Sequence, residues 1–279
     1  MSRASLAAWV VMAVLSCAGG AAGAQDLDAP PGANLAVVAE ATTSFVSGHE
    51  TIAALNDGAT PAHSDDKRGG AYGNWPRRGT QWVQYEWRRP ISTARTDVYW
   101  FDAGRGVRLP QACRLLHWDG GAFVPVPGAA GPGLARNRFN TATFPEVTTT
   151  RLRLEIEGEG TFSTGILEWR VYDSGRSPNF APTVEAGPDR VAVRPGRTYL
   201  AGAAKDDGKP AAALSVRWTK RSGPGAVTFA DAAAAVTTAQ FSVAGDYVLE
   251  LAADDGELRA SDTLSVRVDG PPPARPLEP

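Results

Sequence analysis

The residues best suited to chemistry in this chain are flat aromatic rings beside short polar side chains, not acids and bases at catalytic spacing. Tyr72, Asn74 and Trp75 fall in the turn-rich run GGAYGNWPRRG, and Asp102 and Arg108 follow the apolar run ending at Phe101. An indole offers a platform for the C–H face of a ring-shaped ligand, and neighbouring amide, carboxylate and guanidinium groups can bind its hydroxyls. These five residues are the candidate ligand site. Each also has a plainer reading: Trp75 could plug the end of a core, and Arg108 could pair with Asp102.

Catalytic constellations are thin. The three histidines are His49, His63 and His117. His49-Glu50 is followed by Thr-Ile-Ala, where a zinc protease helix needs a second histidine, and no G-x-S-x-G elbow occurs. His63 stands near Asp65 and Asp66, which could form a metal or acid-base cluster or simply be solvated turn residues. The separation of a glycosidase carboxylate pair cannot be read from sequence. The chain therefore reads as a binding protein and not an enzyme. Asp206-Asp207-Gly208 and Asp254-Asp255-Gly256 read as turn caps or as weak calcium ligands.

The segments that must position these residues begin after an apolar run from Leu6 to Leu15. Arg3 precedes it, and small residues ending Ala22-Gly23-Ala24 follow. Residues 1–24 have the layout of a secretory signal peptide, which implies a secreted or periplasmic protein. Val14-Leu15-Ser16-Cys17 also fits a lipobox, which would place a lipid anchor on Cys17 and the protein at a membrane. Removal of residues 1–24 takes away one basic residue and no acid, so the net charge moves from −2 to −3. No Lys/Arg cluster exceeds the pairs Arg77-Arg78 and Arg88-Arg89, which argues against a nucleic-acid partner. Cys113 would then be the one remaining cysteine, expected as a small buried hydrophobe. Stability would come from packing or a metal ion.

Alternation of period two dominates the rest. Leu152, Leu154 and Ile156 alternate with Arg and Glu, and Leu167, Trp169 and Val171 form one face of a strand whose other face carries Glu168 and Arg170. Val98 to Phe101 is apolar on both faces, as in a central strand. Residues 48–56 are the best candidate for a short helix. Six of the eight tryptophans, Trp75, Trp82, Trp87, Trp100, Trp118 and Trp169, lie in this first half. The second half repeats the alternation on a smaller scale: about seven strands in roughly ninety residues is the size of an immunoglobulin-like sandwich. Between the halves, residues 173–182 hold two prolines and no apolar period. They read as a linker with few residues able to pack, so the halves are expected to fold independently. The last eleven residues contain five prolines and suit an extended tail.

Two resemblances follow. AGPDR (186–190), the Asp206-Asp207-Gly208 turn, VRWTKRSGPGAVTF (216–229) and GDYVLELAADDGELRASDTLSVRV (245–268) resemble PKD-like domains of bacterial secreted proteins. This implies an immunoglobulin-type spacer or adhesion module over 183–269, with the Lys209-Pro210 run as a departure. LNDG (55–58), SDDKRGGAYGNWPRRGTQWVQYEW (64–87), VYWFDAGRGVRLPQACRLLHWDGG (98–121) and ILEWRVY (166–172) resemble discoidin-like, galactose-binding-type sandwiches appended to secreted glycoside hydrolases. This implies an all-β, jelly-roll-type β-sandwich over 30–174, a linker at 175–182 and a Pro-rich tail at 270–279. The implied partner is a poly- or oligosaccharide. The chain would be a secreted binding module plus spacer, an accessory fragment of a glycoside hydrolase, or a surface adhesion protein. Cys113 departs from that pattern, where a bulkier residue is expected. The resemblance also implies a structural Ca²⁺ held by Asp57 and Glu168, with Asn56, Thr60 or Ser64 adding oxygens; an ordinary turn and a solvated glutamate is the other reading.

Overall fold

The computed structural model describes residues 32–211 and 213–271. The expected signal peptide, Cys17 and most of the Pro-rich tail lie outside the described residues. The chain is all-β and folds as two β-sandwiches, the second smaller than the first.

The first is built on strands β1 (Glu40–Thr43), β2 (Tyr72–Gly73), β3 (Thr80–Trp100), β4 (Ala112–Trp118), β5 (Phe123–Pro125), β6 (Phe139–Glu157) and β7 (Gly165–Asp173). Strand order is β2-β7-β3-β6-β4-β5, with β1 added along β3. Two of these strands are too long to stay in one layer. The ladder between β3 and β6 breaks its register between Glu86 and Ile91, a stretch containing Pro90, which has no N–H to donate. Before the break Val83 and Tyr85 point into the core, and after it Val98 and Trp100 point into the same core. A bend in each long strand therefore lets one continuous ladder supply both walls. The Val98 segment is central as its composition implies, paired to β6 on one side and β7 on the other.

Two tryptophans settle where the core sits. Trp169 is fully buried, stacked on Tyr85 at 4.3 Å between centroids, and its indole N–H donates to the Thr96 hydroxyl at 2.6 Å. Trp100 is also fully buried and donates to the Gly133 carbonyl at 2.7 Å. Each ring adds apolar area and finds a partner for its one polar atom. The short helix expected over 48–56 shrinks to a 3-10 turn, Ile52–Leu55, capped by the Thr51 hydroxyl on the Ala53 N–H at 3.3 Å. Cys113 packs against the core, and burial pushes its thiol up to about 11, well away from a reactive thiolate.

The second sandwich uses β8 (Thr183–Glu185), β9 (Arg190–Val193), β10 (Arg197–Ala201), β11 (Ala203–Lys205), β12 (Ser215–Ser222), β13 (Val227–Phe229), β14 (Val236–Phe241), β15 (Gly245–Asp254) and β16 (Arg259–Asp269). A four-stranded sheet β12-β15-β16-β9 faces a three-stranded sheet β10-β14-β13. Trp218, Tyr247, Leu249, Leu251, Phe241 and Leu264 fill the space between them. The SGPG landmark has a steric reason: Gly223 has φ of 131°, and a Cβ there would stand 2.2 Å from the Tyr247 ring.

Residues 173–182 depart from the expected loose linker. Phe180 is 6% exposed and joins the core of the first sandwich, with the Arg89 guanidinium 5.3 Å from its ring centroid. Asp173 and Ser177 are buried, and Lys209 of the second sandwich forms an ion pair with Asp173 while donating to the Ser177 carbonyl at 2.7 Å. Lys205 reaches across to the Asn56 carbonyl at 3.3 Å. A segment without apolar period can still pack, because one phenylalanine and a buried carboxylate are enough to anchor it from both sides.

Candidate functional site

The loop Asn74–Arg78 places Trp75 at the rim of a cleft of about 720 Å³. Trp75 is 46% exposed although it is among the largest apolar side chains of the chain, and it contacts His49 at 5.9 Å between ring centroids. The cleft is also lined by Glu50, Asp65, Lys67, Phe101 and the 103–107 loop. That loop turns tightly: Gly104 and Gly106 have φ of 71° and 65°, and a Cβ on Gly106 would come within 3.6 Å of the Trp75 ring. Lys67 donates to Glu50 at 3.0 Å and lies 4.5 Å from the Phe101 ring centroid, so its ammonium is held at the cleft wall. An exposed indole over a concave surface with charged groups around it suits an amphipathic ring with hydroxyls.

Of the five candidate ligand residues, Trp75 alone lines this cleft. Tyr72 is fully buried, its hydroxyl 2.8 Å from that of Thr43 and bonded to the Phe45 carbonyl. Asn74 is buried and pairs twice with Thr164, through its N–H₂ at 2.7 Å and its carbonyl at 2.9 Å, which ties the Trp75 loop to the sheet. Asp102 is buried, accepts from Gly104 N–H at 2.8 Å and pairs with Arg136 at 3.5 Å, so it shapes the 103–107 loop from beneath. Arg108 lies over Phe162 and donates to the Gly104 carbonyl at 3.0 Å, and so does not pair with Asp102. Three of the five thus support the cleft and do not line it. Sequence reasoning missed His49, Glu50, Lys67 and Arg105, because only the fold brings the 48–56 turn and the 103–107 loop to the Trp75 face; the available signal was the glycines at 69–70 beside Lys67 and at 104 and 106 beside Arg105. Near His63, Asp66 is engaged by Arg68 and the Ala62 N–H, which hold its carboxyl below the usual range. Asp65 faces the cleft.

A second constellation lies away from the cleft. Glu168 is fully buried, not solvated on an outer face as its alternation with Trp169 suggests. Burial foremost, and then the Asp57 charge, push its carboxyl up to about 8 against the pull of Arg170. Its Oε2 accepts from Gly58 N–H at 3.3 Å, and its Oε1, buried without a hydrogen-bond partner, lies 3.5 Å from the Arg170 Nε as an ion pair. Two neighbouring carboxylates suit a hard cation, but Arg170 already stands beside one of them, and among the described residues no third acid, histidine or cysteine joins them. Backbone carbonyls and water would have to complete the shell. The other candidate ligands are engaged elsewhere. Asn56 donates to the Ala36 and Ala39 carbonyls, the Thr60 hydroxyl accepts from Arg170 at 2.9 Å, and Ser64 bonds Asn137. In the second sandwich, Asp206, Asp207, Asp254 and Asp255 each accept from a backbone N–H within the next few residues, as turn caps do.

No family model matches the chain. Among the solved structures similar to this chain are carbohydrate-binding modules and a PKD domain. A chain from the Streptococcus pneumoniae beta-galactosidase BgaA is similar over 49% of this chain and 93% of its own length, at 15% identity and a TM-score of 0.44. The family 32 carbohydrate-binding module from C. perfringens NanJ, solved in complex with galactose, matches over 52% of this chain and all of its own, at 15% identity and a TM-score of 0.42. The PKD domain from the KIAA 1837 protein matches over 36% of this chain and 99% of its own, at 27% identity and a TM-score of 0.27.

Proposed function

We propose that the chain is a non-catalytic saccharide-binding protein of the cell exterior, in which the first sandwich binds ligand and the second acts as a spacer. The observation that carries this reading is the exposed indole of Trp75, held over a cleft whose walls carry fixed polar groups. Single-site sugar binding of this kind is weak, with a dissociation constant near the millimolar scale, or about −4 kcal/mol. Replacing Trp75 with alanine removes a stacking platform worth about 1 kcal/mol, so affinity should fall about five-fold. Because the ring is half exposed, the melting temperature should barely move. Calorimetric titration with the best ligand from a glycan array, together with a thermal melt of the same variant, checks both. Unchanged affinity, or a domain that melts, would remove Trp75 from the site. Release of reducing ends from polysaccharides by the purified protein would instead favour an enzyme.

The same reading includes a structural Ca²⁺ held by Asp57 and Glu168. The ion would neutralise two adjacent carboxylates and brace the 56–60 loop against β7. Calcium at about a hundred times its dissociation constant should stabilise the first sandwich by about 2.7 kcal/mol. Chelator should lower the melting temperature, and Glu168→Gln should abolish the difference between the two conditions. Identical melts of the wild type in calcium and in chelator would leave only a proton-sharing carboxyl pair.

A further inference from the structure

The Glu50–Lys67 pair under the Trp75 cleft has features that a passive surface ion pair lacks. The Glu50 side chain is 7% exposed, and one of its oxygens, Oε2, has no hydrogen-bond partner. Its other oxygen takes one hydrogen from the Lys67 ammonium, whose position is further fixed over Phe101. The Lys67 side chain is 44% exposed and its ammonium carries more than one donor, so it can still bond a group entering the cleft. A buried anionic acceptor left unpaired is costly, and a ligand that supplies the missing donor recovers that cost. The terminal torsion of a glutamate is broad, so the carboxylate can turn to meet a donor that enters the cleft beside Lys67.

Resting on the saccharide reading above, we infer that the cleft selects a neutral sugar carrying two adjacent free hydroxyls and rejects the corresponding uronic acid. One hydroxyl donates to the Glu50 carboxylate and its neighbour accepts from Lys67 Nζ, while Trp75 packs on the C–H face. The Glu50 carboxylate and the Lys67 ammonium are hydrogen-bonded to each other on the cleft wall, so neighbouring hydroxyls of one ring can meet an acceptor and a donor side by side. The cleft's charges balance: Lys67 and Arg105 stand against Glu50 and Asp65. An incoming carboxylate would be repelled by the Glu50 carboxylate that stands beside Lys67, which is selection by exclusion as well as by contact. Glu50 is in this sense a specificity-determining residue.

The test titrates the full chain with matched methyl glycosides: galactoside and galacturonide, glucoside and glucuronide, mannoside and mannuronide. The best ligand should be neutral, and its uronide should bind at least about tenfold more weakly, since like-charge juxtaposition is costly in a partly desolvated site. Glu50→Gln should weaken the neutral ligand and bring the two within about threefold, because the repelling charge is gone. Glu50→Asp, which keeps the charge but withdraws it, should weaken the neutral ligand while preserving discrimination, and it serves if Glu50→Gln does not fold. A uronide that binds as well as its neutral partner overturns the inference, as does a Glu50 variant, folded by its melting curve, with unchanged affinity and ratio. Binding by none of the glycosides, with Trp75→Ala also silent on the array, overturns the saccharide reading itself.

Discussion

Replacing Trp169 with alanine is expected to cost the first sandwich about 3–5 kcal/mol of folding stability. The ring is fully buried, stacks on Tyr85, and its N–H holds the Thr96 hydroxyl at 2.6 Å. Truncation opens a cavity in the middle of the core and leaves a buried hydroxyl short of one partner, and close-packed neighbours on two long ladders cannot collapse into the gap. Against a usual domain stability of about 5–15 kcal/mol, the loss brings the domain near its threshold. Urea denaturation should show the midpoint falling with the slope unchanged. Trp169→Phe, which keeps the stack and loses the hydrogen bond, should fall between the two. A loss under about 1 kcal/mol for the alanine variant would mean that Trp169 is not the centre of this core.

Replacing Lys209 with alanine is expected to cost about 3 kcal/mol, mostly at the junction, because it strands the Asp173 carboxylate, whose side chain is 3% exposed. With Phe180 and the Lys205 contact spanning the junction as well, the wild-type chain should unfold in one coupled transition, where the composition of residues 173–182 suggested two. The variant should separate into two transitions by differential scanning calorimetry. Acid should act in the same direction. Burial raises the Asp173 carboxyl, but the hydrogen bonds from Lys209 and Ser177 outweigh it and hold the group below its ordinary value. A depressed folded value means that the stabilisation is present above the unfolded pKa of about 3.9 and is lost as pH falls through the folded value. Coupling should therefore be complete at neutral pH and weaken below about pH 4 in the wild type, and the Lys209→Ala variant should lack that dependence. Two transitions in the wild type at pH 7 would sink this account.

What the sequence determined by itself was whatever depends on local periodicity and composition. Alternation in 152–156, 166–172, 216–218 and 247–251 was sufficient to define strands, since side chains two apart share a face. The double-sided apolar run 98–101 was enough to make its strand central. The ordered landmarks of the second half marked a small sandwich through the PKD-like resemblance that they carry, and the structure supplies the reason for one of them, since the Tyr247 ring approaches the backbone at Gly223. The exposure of Trp75 was legible in part, because a large aromatic in a run of glycines has little room to be core, yet the same sequence allowed it to plug the end of one. Tertiary structure alone decided the rest. Tyr72 and Trp75 lie three residues apart, yet one is sealed in the core and the other half exposed, since β2 pairs with β7 through Tyr72 and the chain leaves the sheet before Trp75. Glu168 alternates like a solvated residue but is buried, because β7 is covered on both faces and its outer face meets the 56–60 loop from a distant part of the chain. The cleft's charged lining combines residues near 50, 65 and 105, whose proximity follows from long-range strand pairing and has no counterpart in local spacing. The junction packs for the same reason: the partner of Asp173 is Lys209, thirty-six residues on, and no periodicity within 173–182 could announce it.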